Sequence, residues 1–249
     1  MSSKITAISY LLPENTLTND DLAELSKGTT TAPTIFKKTG INSRQIMDAD
    51  FIPSDFAVSC FNKFLKEHPF IKREEIDFLI YCGEGTDYRS PCTAGIIQHK
   101  LGLKQSVGGF DIGLSCSGYT YGLLMAHSLI ESGHSKNVLF IAQACPTTVL
   151  HPEDLELRAL FGDASSCTLI SASEKTGIGK FVTGMDGGGE MALRVKSSSI
   201  NDPLDKDWFG EENNFCPLPY GRMEMNGIDI FNFSLRVVPS LINETLLKN

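Results

Sequence analysis

Three apolar runs separated by helix-length segments constrain this chain more than any other feature. Ile76–Cys82 (IDFLIYC) reads as a strand covered on both faces, and Asn137–Ala144 (NVLFIAQA) reads the same way. Between them lies the short run Val107–Ile112. Thr93–Leu101 is an amphipathic pattern ended at Gly102, and an almost wholly apolar segment from Cys116 to Ser132 is stopped by Gly133, as by a C-cap. The resulting order of strand, helix, strand, helix, strand predicts a mostly parallel sheet with right-handed crossovers. Phe161-Gly162-Asp163 predicts a tight turn into a further strand, Ala164–Ile170.

Upstream, Lys4–Leu12 reads as a strand ended by Pro13. Thr18 to Asp21 caps a short helix running to Leu25, and a second helix spans Thr31–Lys38, closed by Gly40. Ile41–Ile46 predicts a turn or short strand, with Lys37, Lys38 and Arg44 as a small basic cluster. Pro53 opens an amphipathic helix with Phe56, Cys60, Phe61, Phe64 and Leu65 on one side. Downstream the signal weakens. Ile178–Thr183 predicts a strand, Asp186–Gly189 a turn, and Asn201–Pro219 a long acidic surface loop containing Trp208. Met225-Asn226-Gly227 precedes a last helix, Ile228–Leu247.

Cys116 is the residue to which this order points. It sits where the Val107 strand gives way to a helix, and the free N–H groups and positive end of a helix favour a thiolate, the nucleophilic form. Most cysteines are buried and inert, and six others compete: Cys60, Cys82, Cys92, Cys145, Cys167 and Cys216. Ser115, Ser117 and Gly118 set Cys116 apart, because such small neighbours let another molecule reach the backbone. The carboxyl end of a strand is also where open α/β sheets bind ligands.

Other chemistries find little support. A net charge of −8 and a pI near 5.1 argue against nucleic acid as a partner. Seven cysteines, an odd number without Cys-x-x-Cys, suit a reducing compartment. His68, His99, His127, His134 and His151 lack zinc-site spacing, so no metal is expected. Neither a signal peptide nor a long apolar span is present, so the expectation is a cytoplasmic protein with no membrane partner. The elbow-like LSCSG carries cysteine in place of serine, no Walker-A or dinucleotide fingerprint occurs, and Gly83-Glu84-Gly85 carries no weight as a phosphate loop.

The segments KKTGINSRQI (Lys37–Ile46), GFDIGLSCSGYTYGL (Gly109–Leu123), NVLFIAQA, LFGDASSCTLI (Leu160–Ile170) and MEMNGIDIFNFSLRVVP (Met223–Pro239) resemble the β-ketoacyl-acyl-carrier-protein synthase III family of the thiolase superfamily. The resemblance runs in the family's order along essentially the whole chain. It implies a layered α-β-α-β-α thiolase-like α/β fold, with an N-terminal half at 1–172 and the start of a C-terminal half at 173–249. It also implies a decarboxylating Claisen condensation: Cys116 takes an acyl group from a coenzyme A or carrier-protein thioester, and malonyl-acyl-carrier protein attacks the acyl-enzyme. No cofactor is implied beyond these thioester substrates.

In that comparison Cys116 matches the nucleophile, and its N–H one of two oxyanion-hole donors. The family's histidine and asparagine, and its second donor, belong to segments downstream of Asn249. The expectation is therefore a truncated C-terminal half with an exposed apolar face, or a second chain supplying the rest. Thr34 and Lys38 stand where the family has an aromatic and an arginine for the coenzyme A adenine, and Leu155 where it has a further arginine, with Arg158 close by. This favours a carrier-protein donor. Ser90 stands where a bulky aromatic closes the acyl pocket across the dimer, which implies a roomier pocket and a longer or bulkier acyl group. A homodimer is expected, with Gly118 and Gly122 as places where helices could approach. The competing expectations are an enzyme that loads acyl groups without condensation, and a non-catalytic partner of an active homologue.

Overall fold

A computed structural model describes residues 2–48, 51–196 and 222–249. The predicted loop Asn201–Pro219, with Trp208 and Cys216, lies outside the described residues. The chain folds into two compact units, each assembled from separate stretches: Met1–Thr16, Gln45–Cys145 and Gly162–Ile178 form the first, and Leu17–Arg44, Pro146–Phe161 and Gly179–Asn249 the second. The sequence reading instead divides the chain at 172/173.

In the first unit a five-stranded sheet has the order β1-β7-β6-β4-β5. Its strands are β1 (Ser2–Leu11), β4 (Phe78–Gly83), β5 (Gly108–Ile112), β6 (Asn137–Ala144) and β7 (Ala164–Ser173). Strand β4 pairs in parallel with β5 (Cys82 opposite Ile112) and with β6 (Gly83 opposite Gln143). As the apolar runs predict, β4 and β6 are buried in the middle of the sheet. Strand β7 departs from the parallel expectation and runs antiparallel to both β6 and β1. It starts at the end where β6 finishes, with no crossover to return the chain to the opposite end.

Helices α3 (Pro53–Glu67) and α4 (Thr93–Lys100) cover one face through Phe61, Phe64 and Ile97, packed on Leu79, Tyr81, Leu139 and Ile141. The other face belongs to α5 (Gly118–Glu131), whose Ala126 and Ile130 pack on Phe78, Ile80 and Phe140. Two glycines of α5 make room for this packing. A Cβ at Gly118 would overlap Cys82 Sγ, and one at Gly122 would overlap the Phe140 ring. Ile178–Thr183 is not a strand. Ile178 N–H bonds to Ser3 O at 3.0 Å, and no ladder partner for the rest occurs among the described residues.

The second unit holds α1 (Asn19–Leu25), α2 (Ala32–Thr39), α6 (Leu155–Leu160), the hairpin-like pair β8 (Leu193–Lys196) and β9 (Arg222–Met225), and α7 (Gly227–Lys248). The short ribbon β2 (Asn15–Thr18) and β3 (Ser43–Ile46) completes the strands. Both predicted helix signals hold: Thr18 and Asp21 form a reciprocal capping box on α1, and Gly40 closes α2 in the left-handed region at φ 70°. Arg44 does not join Lys37 and Lys38 in a basic cluster. It is buried, donating to Leu17 O, Asn19 Oδ1 and Ala159 O, and burial lowers its pKa. Leu150, Leu157 and Met223 form a small core. Helix α7 carries exposed apolar side chains: Phe231 is 61%, Leu235 61% and Leu246 72% exposed.

Candidate active site

Cys116 stands at the carboxyl end of β5, in a short 3-10 turn, Ser115–Ser117, that leads into α5. The sequence reading starts the helix at Cys116. Regular α-helix instead begins at Gly118, because the chain must first turn off the strand. Ser115 makes that turn at φ 43°, a left-handed conformation costly for a residue with a Cβ. The strain is stored in the residue immediately before the thiol. Cys116 is exposed, and no side chain caps the start of α5. The first N–H groups of the helix are thus not taken by a protein carboxylate or hydroxyl at its cap.

The other cysteines are in different surroundings. Cys92 is also exposed and also precedes a helix, α4. There the Asp111 carboxylate already accepts the N–H groups of Thr93 and Ala94, both at 2.7 Å, so an anion occupies that helix end. Cys60 and Cys167 are fully buried in the core under α3, and burial holds the Cys167 thiol well above its ordinary value. Cys145, at the end of β6, is pushed up by burial, then by Asp163 and Glu84.

Acidic and thiol side chains act on one another near this end of the sheet. Cys82 is raised by burial; the Leu114 N–H works in the opposite direction, and Glu84 and Cys116 add to the rise. The Glu84 carboxyl is itself raised, first by the protein atoms that strip water from it and then by Asp163. Part of its side chain nonetheless stays in solvent. Asp163 is almost fully buried and accepts the Met47 N–H at 2.7 Å. Glu84, Cys82 and Asp163 escape sequence reasoning because their neighbourhood depends on strand register, which is non-local. An acidic residue just past the end of the apolar strand β4 is the one local signal.

The remaining candidates divide between the two units. Ser90 is exposed in the connection from β4 to α4 in the first. Thr34 and Lys38 are exposed one turn apart on α2, and Leu155 is the half-buried first residue of α6, in the second. Helices α2 and α6 touch. Leu155 lines an open cavity of about 540 Å³ with His151, Glu153, Asp154, Glu156 and Arg222. Arg158 serves the fold: it donates to Pro152 O at 2.7 Å, and burial lowers its pKa. Among the described residues no group of three His, Cys, Asp or Glu side chains could hold a metal ion, and no helix is long and apolar enough to cross a membrane.

Comparison with known proteins bears on the family and the fold. A family profile described as 3-oxoacyl-[acyl-carrier-protein (ACP)] synthase III matches residues 110–187, the stretch holding Cys116 and the Phe161-Gly162-Asp163 turn. The β-ketoacyl-[acyl-carrier-protein] synthase III of Fusobacterium nucleatum is 31% identical over 98% of this chain and 71% of its own length. The protein of the same description from Xanthomonas euvesicatoria is 32% identical over 99% and 72%. A crystal structure of a 3-oxoacyl-(acyl-carrier-protein) synthase III superposes with a TM-score of 0.90 at 34% identity, covering 99% of this chain and 74% of that one.

Proposed function

The chain belongs to the 3-oxoacyl-[acyl-carrier-protein] synthase III family of acyl-transferring condensing enzymes, and from that premise we propose that its chemistry runs through a thioester on Cys116. The observation that carries this is the exposed thiol on a strained turn ahead of an uncapped helix, a combination Cys92 lacks. The Cys116 thiolate attacks the donor thioester carbonyl, and the Cys116 N–H supports the oxyanion. The donor's thiolate leaves and takes up a proton. Malonyl-acyl-carrier protein then loses carbon dioxide, its carbanion attacks the acyl-Cys116 carbonyl, and the thiolate returns as the β-ketoacyl product departs on the carrier.

Acyl carrier protein and an acyl thioester are the proposed partners, with no other cofactor, and the working unit is a homodimer. Thr34, Lys38 and Leu155 line the donor approach without the aromatic and arginine pair that would grip an adenine, which favours a carrier-bound donor over coenzyme A. The acidic Glu153, Asp154 and Glu156 around the Leu155 cavity also disfavour a polyphosphate. Ser90 leaves the acyl pocket wide.

Intact mass after incubation with acetyl and octanoyl thioesters tests the reading. A single acyl adduct, mapped to Cys116 and absent from Cys116→Ser, is expected, with octanoyl accepted. An adduct that persists in Cys116→Ser would overturn the assignment, and strict preference for acetyl would overturn the role of Ser90.

A further inference from the structure

The five-stranded sheet ends in β1 on one side, and an edge strand presents a row of backbone groups to which another strand can add. The sequence of β1 favours such addition. Residues 5–12 (ITAISYLL) hold no charge and no proline, and Ile8 and Tyr10 are 49% and 59% exposed. Helix α3 nonetheless reaches over this edge. Lys63 Nζ donates to Tyr10 O at 2.5 Å, and His68 Nε2 donates to Ile8 O at 3.1 Å. Glu67 accepts the hydroxyl of Ser9, the residue between them, and pairs with Lys63 at 3.3 Å.

These contacts cross the edge and do not merely lie beneath it. Ala7 and Ser9 face α3, Ala7 within its core and Ser9 through Glu67. Tyr10 therefore points to the opposite face, the one on which Thr168, paired with Ile8, meets Tyr119 of α5. Yet Lys63 Nζ, from α3, lies 4.7 Å from the centre of the Tyr10 ring. Its side chain thus passes from one face to the other around the outer backbone of β1. A strand laid there would bury the ammonium and take away its partners. His68 is held firmly too: its ring packs on the fully buried Phe64 at 5.0 Å and on Phe70 at 5.9 Å. We propose that Lys63, Glu67 and His68 form a guard that keeps a second copy of this chain from adding its own β1 to this edge. A second copy is the occupant because two such strands, antiparallel about a two-fold axis, set the same uncharged row against itself.

Sedimentation velocity over a range of protein concentrations tests the guard. Lys63→Ala, Glu67→Ala and His68→Ala together should add species roughly twice the parent's mass or heavier, increasing with concentration. Hydrogen exchange across residues 5–12 should be slower in those species than in the parent. Adding Tyr10→Lys, which places a charge on the edge itself, should return the triple variant to the parent's state. The Lys63 side chain is partly exposed, so Lys63→Ala alone keeps the fold and should show the same trend more weakly. An unchanged mass in both Lys63→Ala and the triple variant would overturn the proposal. So would larger species that persist with Tyr10→Lys, or in which exchange over residues 5–12 is not slowed, since their contact would lie elsewhere.

Discussion

Cys82 and Gly118 are fitted to one another, and the fit positions the turn that carries Cys116. The sulfur lies where a side chain at 118 would be, so Gly118→Ala forces it to move and disturbs the start of α5. Overpacking of this kind costs about 1–3 kcal/mol, and the better helix propensity of alanine returns up to about 1. The expected net loss is about 1 kcal/mol, or roughly 2–4 °C in Tm. Cys82→Ala should cancel much of that loss, giving a coupling of about 1 kcal/mol in a double-mutant cycle by urea unfolding. Strict additivity would mean the two residues do not share the space. Gly122→Ala should cost more and resist any such rescue, since its obstacle is the fully buried ring of Phe140.

Helix α7 presents an apolar side to solvent, with Leu235 61% and Ile242 52% exposed. Exposed apolar rows of this size promote association, while substituting an exposed side chain shifts stability by only about 0.5 kcal/mol either way. Leu235→Glu with Ile242→Glu should therefore leave Tm nearly unchanged and abolish concentration-dependent association in size-exclusion chromatography. Association that survives both changes would put the contact on another surface. The period of α7 was plain in the sequence because amphipathicity is a local property. The same holds for β4, β6, the Pro53 helix and the capping box of Thr18. Strands β8 and β9 were not legible, since four residues are too few for a period, and Ile178–Thr183 shows that strand propensity without a partner does not make a strand. Cys116 stands out in the sequence through its small neighbours, whereas Glu84 and Asp163 come to act on Cys145 through the folding of distant segments onto one sheet end, which no local pattern encodes.

At the scale of the whole molecule, charge and burial oppose one another as pH rises. The chain carries −8 at pH 7, and alkali adds further negative charge. Among the groups that burial pushes upward in the first unit are the Cys145 and Cys167 thiols, from an ordinary value of 9.0, and the Tyr81 phenol, from 10.0. Each is an acid whose folded pKa exceeds its unfolded one. Its proton is kept in the folded state at pH values where the unfolded chain has released it, so its contribution to stability is complete below the unfolded pKa and falls as pH rises beyond it. Two thiols together predict a loss of roughly 2.7 kcal/mol per pH unit once the unfolded thiols ionise, and the phenol steepens the fall above about pH 10. Urea midpoints between about pH 8 and about pH 10, measured with reductant present, should drop accordingly. Cys145→Ala and Cys167→Ala should each flatten the slope while lowering stability near neutrality. Surface repulsion predicts a similar trend, but about 1 M salt screens it within roughly 3 Å and leaves the titration of buried groups in place. A slope that persists in high salt therefore belongs to the core, and one that vanishes there would assign alkaline sensitivity to the net charge instead.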